Sequence, residues 1–333
     1  MKAPLHLFFP LLLLSLLSAG CASAATTTPT TPTVAATTTA PTAFGVPSTS
    51  LRLGGLVQHP GMLKLADLQA LPLVTVSVNV KPIGMHTFGG PLLSVVLQKA
   101  GVITQSNRKN DLLRKAIVVA GTDGYTVGVA WAEIDPAFAN KQVLLAYQED
   151  GKPLPQKDGF VRLIVPGDVL AGRYVSNVAS AIVSDPATPP PLVQSQPTQK
   201  FSLIGQVKTP RTYDLAALKA LKNTQVTVAA TTYTGVLLND LLQQAGLQLA
   251  SKKNAFLRTG ILAIGSDGYS CLIADGEIQP NFGNVQVLIA FAANGQPLPT
   301  SVGFARIIVP GDQKMGRFVS NLQELQVVQL ASS

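Results

Sequence analysis

Residues Val165–Asn177 read VPGDVLAGRYVSN, and residues Val309–Asn321 read VPGDQKMGRFVSN. The two stretches are displaced by 144 positions, and the same displacement relates GTDGY to GSDGY and AEIDPAFAN to GEIQPNFGN. Working outward, LGGLVQHPGMLKLADLQAL from Leu53 pairs with LIGQVKTPRTYDLAALKAL from Leu203, and GGPLLSVVLQKAGV pairs with TGVLLNDLLQQAGL. Self-similarity sustained over roughly 130 residues is the mark of a duplicated domain. The copies are placed at 52–184 and 201–330. The Pro-rich segment DPATPPPLVQSQPTQ falls in the linker at 185–200, where few packing residues are available.

Each copy reads as many strands and few helices. A strand at Leu53–Val57, with a twin at Phe201–Val207, is closed by Pro60 or Pro210. Leucines recur at helical spacing at 65, 68 and 71, and again at 215, 218 and 221. A second helix is expected over Leu92–Ala100 and Leu237–Ala245, ending at Gly101 or Gly246 in the position that favours a left-handed C-cap. Asp150-Gly151 and Asn294-Gly295 mark tight hairpins, because both central residues of such a turn need positive φ. Strands joined by hairpins, with a few short helices, make an α+β class.

Composition limits the function classes. Hydrophobic residues make up 47% of 333 residues and charged residues 13%, which is core-forming material and not a disordered chain. The formal charge of +8 is thinly spread: 13 basic and 10 acidic residues from Arg52 to Asp185, 11 and 7 from Lys200 onward. No cluster of Lys and Arg interleaved with aromatics appears, so a nucleic-acid partner is not expected. The surplus supports only a weak preference for small anions or anionic lipid.

The first 20 residues are an apolar run too short for a bilayer-spanning helix and read as a secretory signal peptide. Its end, Leu17-Ser18-Ala19-Gly20-Cys21, resembles the lipobox of bacterial lipoproteins, which implies diacylglycerol on the Cys21 thiol. Cleavage after Ala22-Ser23-Ala24 is the alternative. Residues 21–51 carry no charge until Arg52 is reached and are rich in Thr, Ala and Pro, the composition of an extended tether. The expected address is the bacterial cell envelope, membrane-anchored on the periplasmic side, in the outer membrane because Ala22 gives no inner-membrane retention signal. If Cys21 is lipidated, Cys271 is left without a disulfide partner.

The order of motifs resembles the oxidoreductase molybdopterin-binding domain of the sulfite oxidase-like fold, twice over. These motifs are G-x-V-x-x-P, the Leu-rich helix, TFGGPLLSVVLQKAG, DGY, GKPLP, and RLIVPGD followed by GRYVSN. The resemblance implies tandem mixed β-sheets and, in catalytic members, a molybdenum held by a Cys thiolate between the first helix and G-P-L-L. Here that segment is VTVSVNVKPIGMHT, Val74–Thr87, with the shorter twin VTVAATTYT, Val226–Thr234, and neither contains Cys. Cys271 lies on a strand after DGY, where an apolar core position is the expectation. Molybdopterin thus enters by resemblance only.

The same resemblance makes Arg173 and Arg317 candidates for a phosphate-binding turn, with Asp168 and Asp312 beside them. The alternative is a structural corner in which Asp168 pairs with Arg173 inside the loop, and repetition favours it, because a fold requirement recurs in every copy while a site is needed once. His86, in the segment before the G-P-L-L helix, is a candidate ligand or acid with no counterpart in the second copy. Three classes follow. The expected one is a binding or accessory module that lost its metal ligand, recognising a small anion or an envelope protein; the others are a molybdenum oxidoreductase with non-standard coordination and a structural envelope protein.

Overall fold

The structure is a computed structural model that describes residues 46–188 and 190–330. The signal peptide and Cys21 lie outside the described residues. The first repeat runs β1 (Leu51–Gly55), β2 (Gly61–Leu63), α1 (Leu65–Gln69), β3 (Val74–Val80), β4 (Gly84–Gly90), α2 (Leu93–Ala100), β5 (Ala116–Gly121), β6 (Thr126–Ala130), α3 (Trp131–Ile134), β7 (Leu144–Ala146), β8 (Gln148–Glu149), β9 (Lys152–Pro153), β10 (Arg162–Ile164) and β11 (Val178–Ser184). The second runs β12 (Lys200–Gly205), β13 (Arg211–Asp214), α4 (Leu215–Lys219), β14 (Thr224–Val228), β15 (Thr231–Leu237), α5 (Leu238–Ala245), β16 (Thr259–Gly265), β17 (Ser270–Ala274), α6 (Asp275–Ile278), β18 (Leu288–Ala293), β19 (Gln296–Pro297), β20 (Arg306–Ile308) and β21 (Leu322–Gln329).

Each repeat builds the same five-stranded sheet, ordered β2-β1-β11-β5-β6 in the first and β13-β12-β21-β16-β17 in the second. In both, the first long strand pairs in parallel with the last, with Leu53 opposite Ala181 and Leu203 opposite Leu325. The other ladders of these sheets are antiparallel. A second sheet carries the hairpin β3–β4 or β14–β15, with four strands (β3-β4-β8-β9) in the first repeat and five (β14-β15-β18-β19, with β20 beside β18) in the second. This mixed pairing with short helices is the α+β class of tandem mixed sheets expected from the sequence.

Local chemistry sets the corners. Asp150 and Gly151 take φ of 51° and 74°, and Asn294 and Gly295 take 50° and 76°, as the hairpin dipeptides require. The Asp214 carboxylate caps α4 by accepting from the Ala217 N–H at 2.8 Å. The segment Val74–Thr87, expected as a loop, is instead most of a hairpin. Its VTVSVNV alternates with period two, and Val78 and Val80 turn inward while Ser77 and Asn79 stay exposed.

The interior strand β5, with β6 beside it, is apolar on both faces, so one helix layer cannot cover it. One face closes over the repeat's own core with Leu93 and Leu97 of α2. From the other face Ala116, Val118 and Ala130 meet Leu262, Leu272, Ala274, Val328 and Leu330 of the second repeat. The described residues of both repeats fall in one compact unit, which follows from this stacking of apolar sheet faces. Among the described residues no helix is long and apolar enough to cross a membrane.

Candidate functional site

The repeated stretch forms a turn after β10 or β20, then a short 3-10 helix, Ala171–Arg173 or Met315–Arg317. Arg173 is fully buried and gives every nitrogen to the chain. Its Nε and Nη2 donate to the two oxygens of Asp168 at 2.7 and 2.6 Å, and Nη1 donates to Glu133 Oε2 at 2.7 Å. Arg317, also fully buried, repeats this with Asp312 at 2.8 and 2.6 Å and Glu277 at 2.7 and 2.9 Å. The anion-cradle reading of Arg173, Arg317, Asp168 and Asp312 is corrected accordingly: these guanidiniums already hold two carboxylates each, out of contact with water. Burial alone would lower both arginine pKa values, and the paired carboxylates outweigh it.

Glu133 and Glu277, which the sequence does not single out as site residues, are the partners that complete these clusters. They sit in α3 and α6, forty residues before the arginines. Burial pushes Glu133 up, but Arg173 and Lys141 pull harder and hold it below its ordinary value. At Glu277, burial prevails over Arg317, and the charge of Glu133 adds to it, so that carboxyl is raised. The two clusters therefore sense one another across the boundary between repeats. Their signal in the sequence was an acid recurring at the displacement of 144, each time before Ile in an apolar context.

The same turns dock the repeats together. Tyr125 of DGY donates its hydroxyl to the Gly172 carbonyl oxygen at 2.6 Å and accepts from Asn254 Nδ2 of the other repeat at 2.9 Å. Tyr269 reciprocates, donating to the Gly316 carbonyl oxygen at 2.5 Å and accepting from Asn110 Nδ2 at 3.0 Å. The backbone N–H of Leu170 donates to the Asn281 carbonyl at 2.9 Å, and that of Gln313 to the Phe138 carbonyl at 3.1 Å. Phe138 enters the core of the second repeat and Phe282 that of the first. The recurring motif is thus a corner that joins two copies.

His86 stands on β4, its Nδ1 2.8 Å from Asp150 Oδ2 and 3.2 Å from Glu149 Oε1. These residues border a cleft of 600 Å³ with Lys157, Asp158 and Arg162. The Thr87 N–H, and then His86, hold the Asp150 carboxyl below its usual range. The structure thus brings His86 beside two acids and apart from both arginine clusters.

The accessible protein thiolate that the sequence resemblance implies for a molybdenum centre is not offered by the donor set of the described residues. The hairpin from Val74 to Thr87 offers only the Met85 thioether, 68% exposed. Cys271 is fully buried in β17, its Sγ 3.7 Å from the Arg317 carbonyl oxygen, and burial pushes the thiol up to about 12. Such a sulfur stays protonated and out of reach. Among the described residues no group of three or more His, Cys, Asp or Glu is placed to hold a metal ion.

The family model described as oxidoreductase molybdopterin binding domain matches residues 39–186 and 227–332. No curated protein matches the chain. Among solved structures, the sulfane dehydrogenase SoxCD from Paracoccus pantotrophus is similar over 85% of this chain and 78% of its own, at 14% identity and a TM-score of 0.35.

Proposed function

The chain belongs to the oxidoreductase molybdopterin binding domain family, and we propose that it serves there as a binding or accessory module of the bacterial cell envelope that has given up the metal centre. The observation that carries this reading is the position of Cys271. It is the one thiol among the described residues, and it lies inside the core as a protonated donor to a backbone carbonyl. None of the described residues offers an accessible thiolate for the metal. What remains is a rigid double domain with polar clefts, suited to recognition of a small anion or of an envelope protein.

In this reading Cys21 carries the lipid, and residues 21–51 hold the double domain away from the outer membrane on its periplasmic side. Two or more acyl chains at one cysteine suffice for stable anchoring. The test has two arms. Protein exported in cells that supply the cofactor is assayed for molybdenum and pterin, with neither expected; stoichiometric amounts of both overturn the reading. Detergent-phase partition of the wild type and of Cys21→Ser tests the anchor, with loss of partition expected in the variant.

A further inference from the structure

We propose that the second repeat binds a small carboxylate in the cleft beneath its DGY turn, where the ligand takes the place of an aspartate side chain that the first repeat supplies internally. The two copies differ here at one acid. In the first, Asp158 Oδ1 accepts from Ser176 Oγ at 2.7 Å and lies 3.9 Å from Arg162 Nη1. At the displacement of 144 the serine and arginine persist as Ser320 and Arg306, but the acid has become Val302. The donors were kept and the acceptor was lost.

The consequences are visible at Arg306. Among the described residues no carboxylate lies within the 4.0 Å of an ion pair, and its Nε is buried without a hydrogen-bond partner. Arg162 Nε is likewise unpartnered, so the difference between repeats lies at the outer nitrogens and the serine. Each guanidinium lies over a ring, Arg162 5.7 Å from the Phe88 centroid and Arg306 5.4 Å from that of Phe318, so the stacking is common to both repeats and the missing acid is what sets Arg306 apart. Burial pushes Arg306 below its ordinary value and Tyr233 offsets only part of this, as expected for a cation lacking a counter-ion.

Arg306 and Ser320 border a cleft of 320 Å³ shared with Lys109 of the first repeat and Ser195 of the linker. That size is at the lower end for small-molecule sites. Lys109 brings a second cation. The single acid at the cleft, Asp267, is held by the Tyr269 N–H at 2.9 Å. A carboxylate seated here would gain charge-assisted hydrogen bonds from Arg306 and Ser320, the same donors that serve Asp158 in the other copy.

This inference rests on the binding-module reading above, and its test is independent of metal content. The full exported chain is titrated calorimetrically, at low salt, with acetate, succinate and inorganic sulfate. The wild type is expected to bind acetate or succinate more tightly than sulfate. Arg306→Ala is expected to weaken binding at least about tenfold, the scale for losing a charged hydrogen bond. Val302→Asp, which rebuilds the arrangement of the first repeat, is expected to abolish binding while leaving thermal stability equal or higher. Absence of carboxylate binding in the wild type, a preference for sulfate, or unchanged binding in a folded Val302→Asp protein overturns the proposal. If no carboxylate binds and molybdenum is also lacking, this inference fails and the module reading stands; molybdenum present defeats that reading on its own.

Discussion

The ring of Phe282 lies on Gly172 so closely that a Cβ there would stand 2.5 Å from its Cε1. Phe138 lies on Gly316 in the same manner, at 2.6 Å. The glycine that precedes each arginine in GRY and GRF is therefore fixed by a ring from the other repeat. The motif recurs because the contact is reciprocal. An apolar sheet face on each copy needs covering, and two copies cover each other.

Gly172→Ala and Gly316→Ala should each cost about 1–3 kcal/mol, the usual scale of overpacking. The methyl has nowhere to go unless the facing ring moves. Thermal unfolding of each variant checks this, and pairing Gly172→Ala with Phe282→Leu should recover part of the loss. An additive double variant would contradict the contact.

Arg173→Ala and Arg317→Ala should each destabilise by about 3–5 kcal/mol, because two buried carboxylates are left without their cation. Glu133→Gln and Glu277→Gln should each destabilise as well, because each removes a charged acceptor from a fully buried guanidinium. Denaturant midpoints for the four variants decide it.

The fold and the site were legible to different degrees. Duplication, strand content and the two-residue turns at Asp150-Gly151 and Asn294-Gly295 follow from local pattern and a constant displacement. The Asp168–Arg173 pair was legible as well, being only five residues apart. Glu133 and Glu277 were not, because their partners lie forty residues away and a carboxylate in an apolar stretch is ordinarily placed at the surface. Nor was the exchange of Phe138 and Phe282 between cores, which exists only once two repeats are docked. The alternation VTVSVNV is a strand pattern in its own right, masked by the resemblance to a ligand-bearing loop.

Asp275 gives the protein a pH dependence of its own. Burial raises this carboxyl to about 6 from an ordinary 3.8, with hydrogen bonds donated by Gln279 at 2.7 Å and by Thr259 at 3.3 Å offsetting part of the rise. A raised carboxyl favours the folded state fully below the unfolded pKa, and that contribution is lost as pH rises through the folded one. Each tenfold difference in proton affinity between folded and unfolded chain is worth about 1.4 kcal/mol, so the change between pH 4 and pH 7 is on the order of 3 kcal/mol. Asp275→Asn should be more stable than the wild type at pH 7 and should flatten the stability difference across this window; equal pH profiles would contradict the assignment.

The linker should be dispensable for holding the repeats together. Leu192 and Val193 are about half exposed, at 47% and 59%, and a protease site placed there should be cut in the folded protein. The nicked halves are expected to elute as one species in gel filtration, because the sheet faces and the reciprocal Tyr and Phe contacts do not pass through the linker. Separate elution would show that the covalent connection supplies the association.

Molybdenum and pterin content of the chain, purified from an envelope in which another molybdenum enzyme is fully loaded, tests the account most directly. With Cys271 sealed in the core and no cysteine in either hairpin, both should be absent. Stoichiometric metal would contradict the account whether or not Cys271→Ala retains it: retention would require a ligand other than a thiolate, and loss would make a ligand of the sealed Cys271.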